Sequence, residues 1–271
     1  YEIMNWSDDL ENTSFNAKDI IDPKIWETKD LKWLKVWIPK EYFEEWLDLW
    51  VKEVILSAVE KLKELWAEIK EISLPMTKYA VATYYILMPA EVSTNLGRLD
   101  GLRYWHVSNK WYTSMDEFYE NNRWEGFWDE TQRRIILWSY VLSAWFYDAY
   151  YKKAWQIRTL IMQDFQKAFS EVDVIVSPAS PDVAWKLGEK IDDPIKMYLS
   201  DAYTIPASLA WLPWICVPAW FAKSNDEEKE NLPVWLQILA PQFEDQKVLE
   251  VANVFEQATW YGKLNPKWFE D

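Results

Sequence analysis

The chain has 271 residues, 50% of them hydrophobic and 27% charged, a balance that excludes a disordered or low-complexity protein. With 29 Lys and Arg against 44 Asp and Glu it carries a net charge of −15, which repels phosphate and argues against direct nucleic-acid binding. One Cys and one His exclude a disulfide framework and any Cys- or His-rich metal site; 21 Trp stand against only 5 Gly, where roughly 7% glycine is usual.

Taken in chain order, residues 34–38 read as a short strand ahead of Pro39. Residues 48–65 carry apolar side chains at Val51, Val54, Ile55, Ala58, Val59, Leu62 and Leu65, the stripe of an amphipathic helix. Residues 67–74 read as a strand. A strand, a helix and a strand joined this tightly predict a parallel βαβ unit with a right-handed crossover. Helical patterns follow at 76–95, 115–121 and, as one long run, 130–169. Residues 172–181 contain a β-branched run closed by Pro178, a buried strand. Residues 195–209 are helical at both ends, with Pro206 expected to kink or break them. Strands at 215–217 and 234–239 precede a last helix at 246–259, and 224–231 is an acidic loop.

No repeat or linker divides this order, so one α/β domain is expected, and an incomplete one. The chain begins at Tyr1 with no basic-then-apolar leader. The single Cys suits a reducing, cytoplasmic setting. The longest apolar stretch, residues 135–147, is shorter than the ~20 residues of a membrane span.

The tryptophans fall where glycine makes better physical sense. Trp66 follows the last turn of the 48–65 helix, where the backbone commonly turns left-handed and glycine is favoured because it lacks Cβ. Trp33 and Trp37 flank a short strand. Trp211, Trp214 and Trp220 surround two prolines, and Trp235 lies inside a strand. Trp138 and Trp145 are spaced for a close helix–helix contact made by small residues. Indole in place of glycine at so many packed positions would overpack the fold, at about 1–3 kcal/mol each. UGA is read as glycine in some bacterial lineages, and a chain written with tryptophan at UGA would show this exchange. At face value, the aromatics would instead form a wide core, a carbohydrate-binding surface or another aromatic-rich binding face.

With glycine at these positions, long stretches resemble the amidase signature family. They are LKWLKVWIPKEYF at 31–43, SLPMTKYAVATYYILMPAEVSTNLGRLDGLRYWH at 73–106, EGFWDETQRRIILWSYVLSAWFYDAYYKKA at 125–154, LGEKIDDPIKMYLSDAYTIPASLAWLPWICVPAWF at 187–221 and LPVWLQILAPQFED at 232–245. The similarity is to the glutaminase subunits of tRNA-dependent amidotransferases. The family pattern has glycine at Trp33, Trp37, Trp46, Trp66, Trp105, Trp128, Trp138, Trp145, Trp211, Trp214, Trp220 and Trp235, and at Trp6. Trp26 and Trp124 also suit glycine, and Trp185 matches an aromatic. Trp50, Trp111, Trp155, Trp260 and Trp268 are not assigned by the pattern.

The resemblance implies an α/β amidase-signature fold, a mixed β-sheet core covered by helices. Residues 1–271 would be the C-terminal portion of one such domain. It also implies a Ser–cis-Ser–Lys triad in a Gly/Ser-rich loop that this chain does not contain, so no catalytic residue is assigned and no activity is expected of this portion alone. The implied function of the whole protein is release of ammonia from glutamine to convert Glu-tRNA(Gln) to Gln-tRNA(Gln). The partners implied are the B and C subunits of such an amidotransferase. ATP, Mg and most tRNA contacts would belong to the B subunit, with no cofactor here. A stand-alone amidase acting on another small amide is the alternative within the same family.

Free glutamine presents an α-ammonium and an α-carboxylate, so its site needs one fixed anion and one fixed cation, and Arg suits a carboxylate through its two-pronged fork. By resemblance Arg134 would hold the carboxylate, Asp201 the ammonium, and Tyr84 would line the pocket. Arg133 and Tyr85 are their neighbours in register. From sequence alone, the two arginines also fit a solvated helix start and Asp201 a helix N-terminus. His106, alone, argues against a Ser-His-Asp enzyme. Cys216 reads as a buried filler. Ser177 and Ser180 suit a solvated strand end better than a nucleophile. Asp192 and Asp193 read as a turn or cap rather than a metal site, and Asp226–Glu230 as a solvated loop.

Overall fold

The computed structural model describes residues 8, 10, 26–32, 34–43, 47–143, 147–186, 194–222, 232–259 and 261. Trp6, Trp33, Trp46, Trp145, Trp260, Trp268, Asp192, Asp193 and the acidic run at 226–230 lie outside the described residues. The elements run β1 (Lys35–Pro39), α1 (Leu49–Glu64), β2 (Glu68–Ile72), α2 (Ala80–Leu96), α3 (Met115–Gly126), α4 (Asp129–Val141), α5 (Lys152–Phe169), β3 (Val174–Pro178), α6 (Pro194–Leu199), α7 (Ile205–Leu209), β4 (Trp214–Phe221), β5 (Pro233–Leu239) and α8 (Asp245–Thr259). The chain divides into two compact units: a sheet unit made of Tyr1–Lys78 and Ile161–Asp271, and a helical unit, Tyr79–Leu160.

The sheet unit begins with the parallel pair that the sequence predicts. β1 lies beside β2 with Lys35 opposite Glu68, and α1 joins them. The apolar stripe of α1 is what ties it down: Val51, Val54, Ile55, Ala58, Val59 and Leu62 are all buried. Asp48 caps the helix, its carboxylate accepting from the Trp50 and Val51 amides at 2.8 and 3.4 Å. At the other end the Trp66 amide donates to Lys63 and the Ala67 amide to Leu62, the paired bonds of a Schellman stop. Trp66 sits there with φ of 75°, as a residue at that position must.

The five-stranded sheet has the order β2-β1-β3-β5-β4. β1 is parallel to β2 and β3, while β5 is antiparallel to β3 and β4, so the sheet is mixed. Side chains alternate along each strand. Val36, Ile38, Val174, Val176, Leu236 and Ile238 therefore share one face and enter one core with α1 and α8. Trp37, Ile175, Ser177, Trp235 and Gln237 take the opposite face. β3 is buried along its whole length, as its β-branched run predicts.

Two expectations need correction in detail. Ser177 is fully buried rather than solvated, and its hydroxyl donates to Gln237 Oε1 at 3.0 Å across the β3–β5 pair. The 130–169 run is not one helix: α4 ends at Val141 and a π-helical turn, Tyr147–Tyr151, precedes α5. This stretch is crowded with aromatic residues, which lose rotamer freedom in a helix. Tyr147 and Tyr151 instead pack their rings 5.2 Å apart. Residues 195–209 are helical at both ends and broken between, as expected: α6 stops at Leu199, and Pro206 stands in the first turn of the separate α7, where its missing N–H costs nothing.

α7 ends as α1 does. The Trp211 amide donates to Ser208 and the Leu212 amide to Ala207, with Trp211 at φ of 55°. β4 is longer than the sequence suggests and carries an irregularity between Pro218 and Trp220. Cys216 is half-buried in β4, and burial pushes its thiol up to about 11, so it stays protonated at neutral pH. No helix among the described residues is long and apolar enough to cross a membrane.

Candidate functional site

In the helical unit, α4 opens with the arginine pair. Glu130 lies one turn before both arginines, the spacing at which helical side chains meet. Its carboxylate accepts from Arg134 Nε at 2.9 Å and from Arg133 Nη1 at 2.8 Å. The two arginines then part company. Arg133 has 60% of its side chain exposed and Arg134 only 29%. Arg134 lies over the ring of Tyr85, 5.9 Å from its centre. Tyr84 meets Tyr85 edge to face at 5.2 Å. The structure thus gathers Tyr84, Tyr85 and Arg134, from α2 and α4, and leaves Arg133 on the surface.

Arg134 borders a cavity of about 590 Å³. Met88, Val92 and Leu96 of α2 form its apolar side, Trp105 and Trp128 stand at its wall, and Glu130 and Arg134 supply the charge. That combination, mostly apolar with a few fixed polar groups, suits a small polar ligand. A guanidinium held by one carboxylate on its Nε edge is pre-aimed, so less freedom is lost when it engages a second.

The wall carrying Trp105 is pinned by Asn122, almost fully buried on α3. Its side chain accepts from the Ser108 amide at 2.7 Å and donates to the Asp100 carbonyl at 3.1 Å. Gly101 passes beneath it with φ of 82°, and a Cβ there would meet the Asn122 amide nitrogen at 2.2 Å. Glycine is therefore required twice over at this turn. Beside it, His106 Nε2 and Lys110 Nζ approach the Glu125 carboxylate at 3.0 and 2.9 Å. Bonds from His106, then Lys110 and Ser108, hold Glu125 down at about 2. His106, left without a role by the sequence, is a surface hydrogen-bond partner of Glu125 here.

Asp201 belongs to the sheet unit, in the turn between α6 and α7. Its side chain is exposed, while its carbonyl accepts from the Thr204 and Ile205 amides at 3.2 and 3.0 Å. It therefore leads into α7 from outside the helix. Sequence reasoning overlooks Glu130 and Asn122. The i, i+4 spacing of Glu130 to Arg134 is a signal available in the sequence; nothing local marks Asn122. Among the described residues no group of His, Cys, Asp and Glu could hold a metal ion.

A mixed sheet packed with helices makes this an α/β protein, and its helical unit sets Arg134 beside a largely apolar cavity. The Amidase family pattern matches residues 4–249, and the chain belongs to that family. It is 44% identical over 267 residues to the glutamyl-tRNA(Gln) amidotransferase A subunit of a Sulfurihydrogenibium species, covering 98% of this chain and 53% of that protein. The protein of the same name from Halalkalibacterium halodurans is 46% identical over 265 residues, again 98% of this chain and 53% of the relative. The crystal structure of the Thermotoga maritima glutamyl-tRNA(Gln) amidotransferase A subunit superposes with a TM-score of 0.68 at 35% identity, over 92% of this chain and 47% of that one. The chain spans about half the length of the curated relatives it matches.

Proposed function

We propose that this chain is the glutamine-binding part of the glutaminase subunit of a tRNA-dependent amidotransferase. The observation that carries the reading is 41–46% identity, sustained over 241–267 residues, to proteins of that name. In the whole protein, hydrolysis of the glutamine side-chain amide yields glutamate and ammonia. ATP phosphorylates the side-chain carboxylate of the glutamate on Glu-tRNA(Gln), and the ammonia displaces that phosphate to leave the amide. ATP, Mg and most of the tRNA contacts fall to the partner B subunit, with the C subunit joining the two. The net charge of −15 suits a protein that leaves tRNA to another. A cytoplasmic setting follows from the same role.

Arg134 is the carboxylate-holding cation, Tyr84 lines the site and Asp201 takes the ammonium. What supports Arg134 over Arg133 is its half-burial, its place over Tyr85 and its position at the cavity. No residue of this chain matches a Ser–cis-Ser–Lys triad, so the bond-breaking step is assigned to none of them.

The test is steady-state glutaminase activity of the full-length protein in complex with its partners. Losing a charge-assisted bond to the substrate carboxylate costs about 1.5–3 kcal/mol, so Arg134→Ala is expected to raise the glutamine KM roughly tenfold to a hundredfold. Asp201→Asn should act in the same direction and Arg133→Ala should not. Unchanged glutamine kinetics in Arg134→Ala and Asp201→Asn would overturn the assignment; activity on other small amides but not on glutamine would favour a stand-alone amidase.

A further inference from the structure

Four non-glycine residues among those described have positive φ, and three of them are tryptophans: Trp66 at 75°, Trp105 at 87° and Trp211 at 55°. This is the region where a Cβ collides with the backbone and where bulky residues are genuine outliers. Trp66 and Trp211 occupy the same place in two separate Schellman stops, the position glycine fills by preference. Neither indole compensates by burying itself, since Trp66 is 68% exposed and Trp211 67%. Trp105, half exposed, lies where a Cβ added to Gly126 would meet its Nε1 at 2.4 Å. The fourth residue, Phe243, shows that one aromatic can be held left-handed in a tight turn. Three tryptophans at such sites, in a chain with 21 Trp and 5 Gly, is a pattern that a single strained turn does not produce.

The sheet points the same way. Trp37 stands on the face of β1 away from α1, and its buried indole N–H finds no partner among the described residues. A buried tryptophan normally satisfies that donor.

We propose that residues 66, 105 and 211 are glycines in the protein its own cells make, with UGA read as glycine, and that other tryptophans of this chain share that origin. The exchange has a consequence at the cavity. Trp105 is part of the wall beside Arg134, so glycine there removes an indole and widens the space a ligand can enter. The backbone conformation carries the proposal independently of which amide the protein acts on.

Peptide sequencing by mass spectrometry, on the protein purified from its own cells, reads these residues directly. Glycine at 66, 105 and 211 with UGA codons in the gene is the expected result; tryptophan encoded by UGG at these positions overturns the proposal. A second readout uses the full-length protein produced recombinantly with tryptophan throughout. Trp66→Gly and Trp211→Gly should each raise its midpoint of thermal unfolding by several degrees. An unchanged or lowered midpoint in both counts against glycine as the residue these turns were built for. Neither readout depends on glutamine turnover, so failure here and failure of the glutaminase assignment are distinguishable.

Discussion

Each of the two units is ordered internally by different means. In the sheet unit, strands β1, β3 and β5 and helices α1 and α8 interleave aliphatic side chains into one cluster, with Val36, Ile55, Leu62, Val174, Leu236 and Phe255 essentially removed from water. In the helical unit few large apolar residues are fully covered, and Ile136, Leu137, Tyr147 and Tyr150 are exposed. Its order relies more on polar ties: Asn122 to two backbone groups, Glu130 to two arginines, and Glu125 to His106 and Lys110. Arg158 is buried there too, its guanidinium against the Trp155 ring at 4.6 Å. The difference teaches where each kind of residue can reside. A close-packed core fixes a scaffold but leaves no room for a charge. A loosely covered helical layer can present a half-buried arginine at a cavity.

The comparison breaks first, and most strongly, in the sheet unit. Phe255→Ala should cost about 3–5 kcal/mol, because the ring is fully buried and its neighbours cannot collapse into the space. Chemical denaturation checks this, and a loss well under ~1 kcal/mol would mean that the cluster is loosely packed. In the helical unit the same kind of truncation at a polar tie should cost less. Asn122→Ala leaves the Ser108 amide and Asp100 carbonyl without that partner, at about 1–3 kcal/mol. Hydrogen exchange should show lost protection at the Ser108 amide while β3 and β5 keep theirs. Loss spread equally over both units would remove the distinction.

The smallest effect is an acid one. Glu125 is held at about 2, below the carboxylate's ordinary ~4.3 in an unfolded chain, by His106, then Lys110 and Ser108. A depressed carboxylate contributes stability above its unfolded value and loses it as pH falls toward the folded one. The contribution should therefore fade between about pH 4.3 and 2, and His106→Ala should move the Glu125 titration upward. Side-chain carboxyl NMR reads both, and an unmoved titration would show that the ion pair does not hold in solution.

Much of the sheet unit is legible in the sequence because its signals are local and periodic. The stripe from Val51 to Leu62 specifies α1, Asp48 its start and the unbroken run before Pro178 a buried β3, each by side-chain spacing alone. The parallel β1–β2 pair follows from the helix between the strands, a crossover that returns the chain to the same end of the sheet. The break between α4 and α5 is not legible, because an aromatic-rich stretch fits a helix by hydrophobicity while its ring packing decides otherwise. Ser177 reads as solvated because a serine just before a proline resembles a strand end; only the β3–β5 pairing reveals Gln237 beside it.

By itself the sequence determined the family, through long stretches that match it, and the excess of tryptophan over glycine, which needs no coordinates to be seen. It also offered, in Arg134 and Asp201, the residue types that a zwitterionic ligand would require. The tertiary structure alone set the environments of Arg133 and Arg134 apart, because helical neighbours differ in what another helix brings to them: Arg134 lies over Tyr85 while Arg133 stays exposed. The positive φ at Trp66 was foreseeable from its place after α1, but the tertiary structure alone decided those at Trp105 and Trp211, because φ is set by how a turn closes against the rest of the fold.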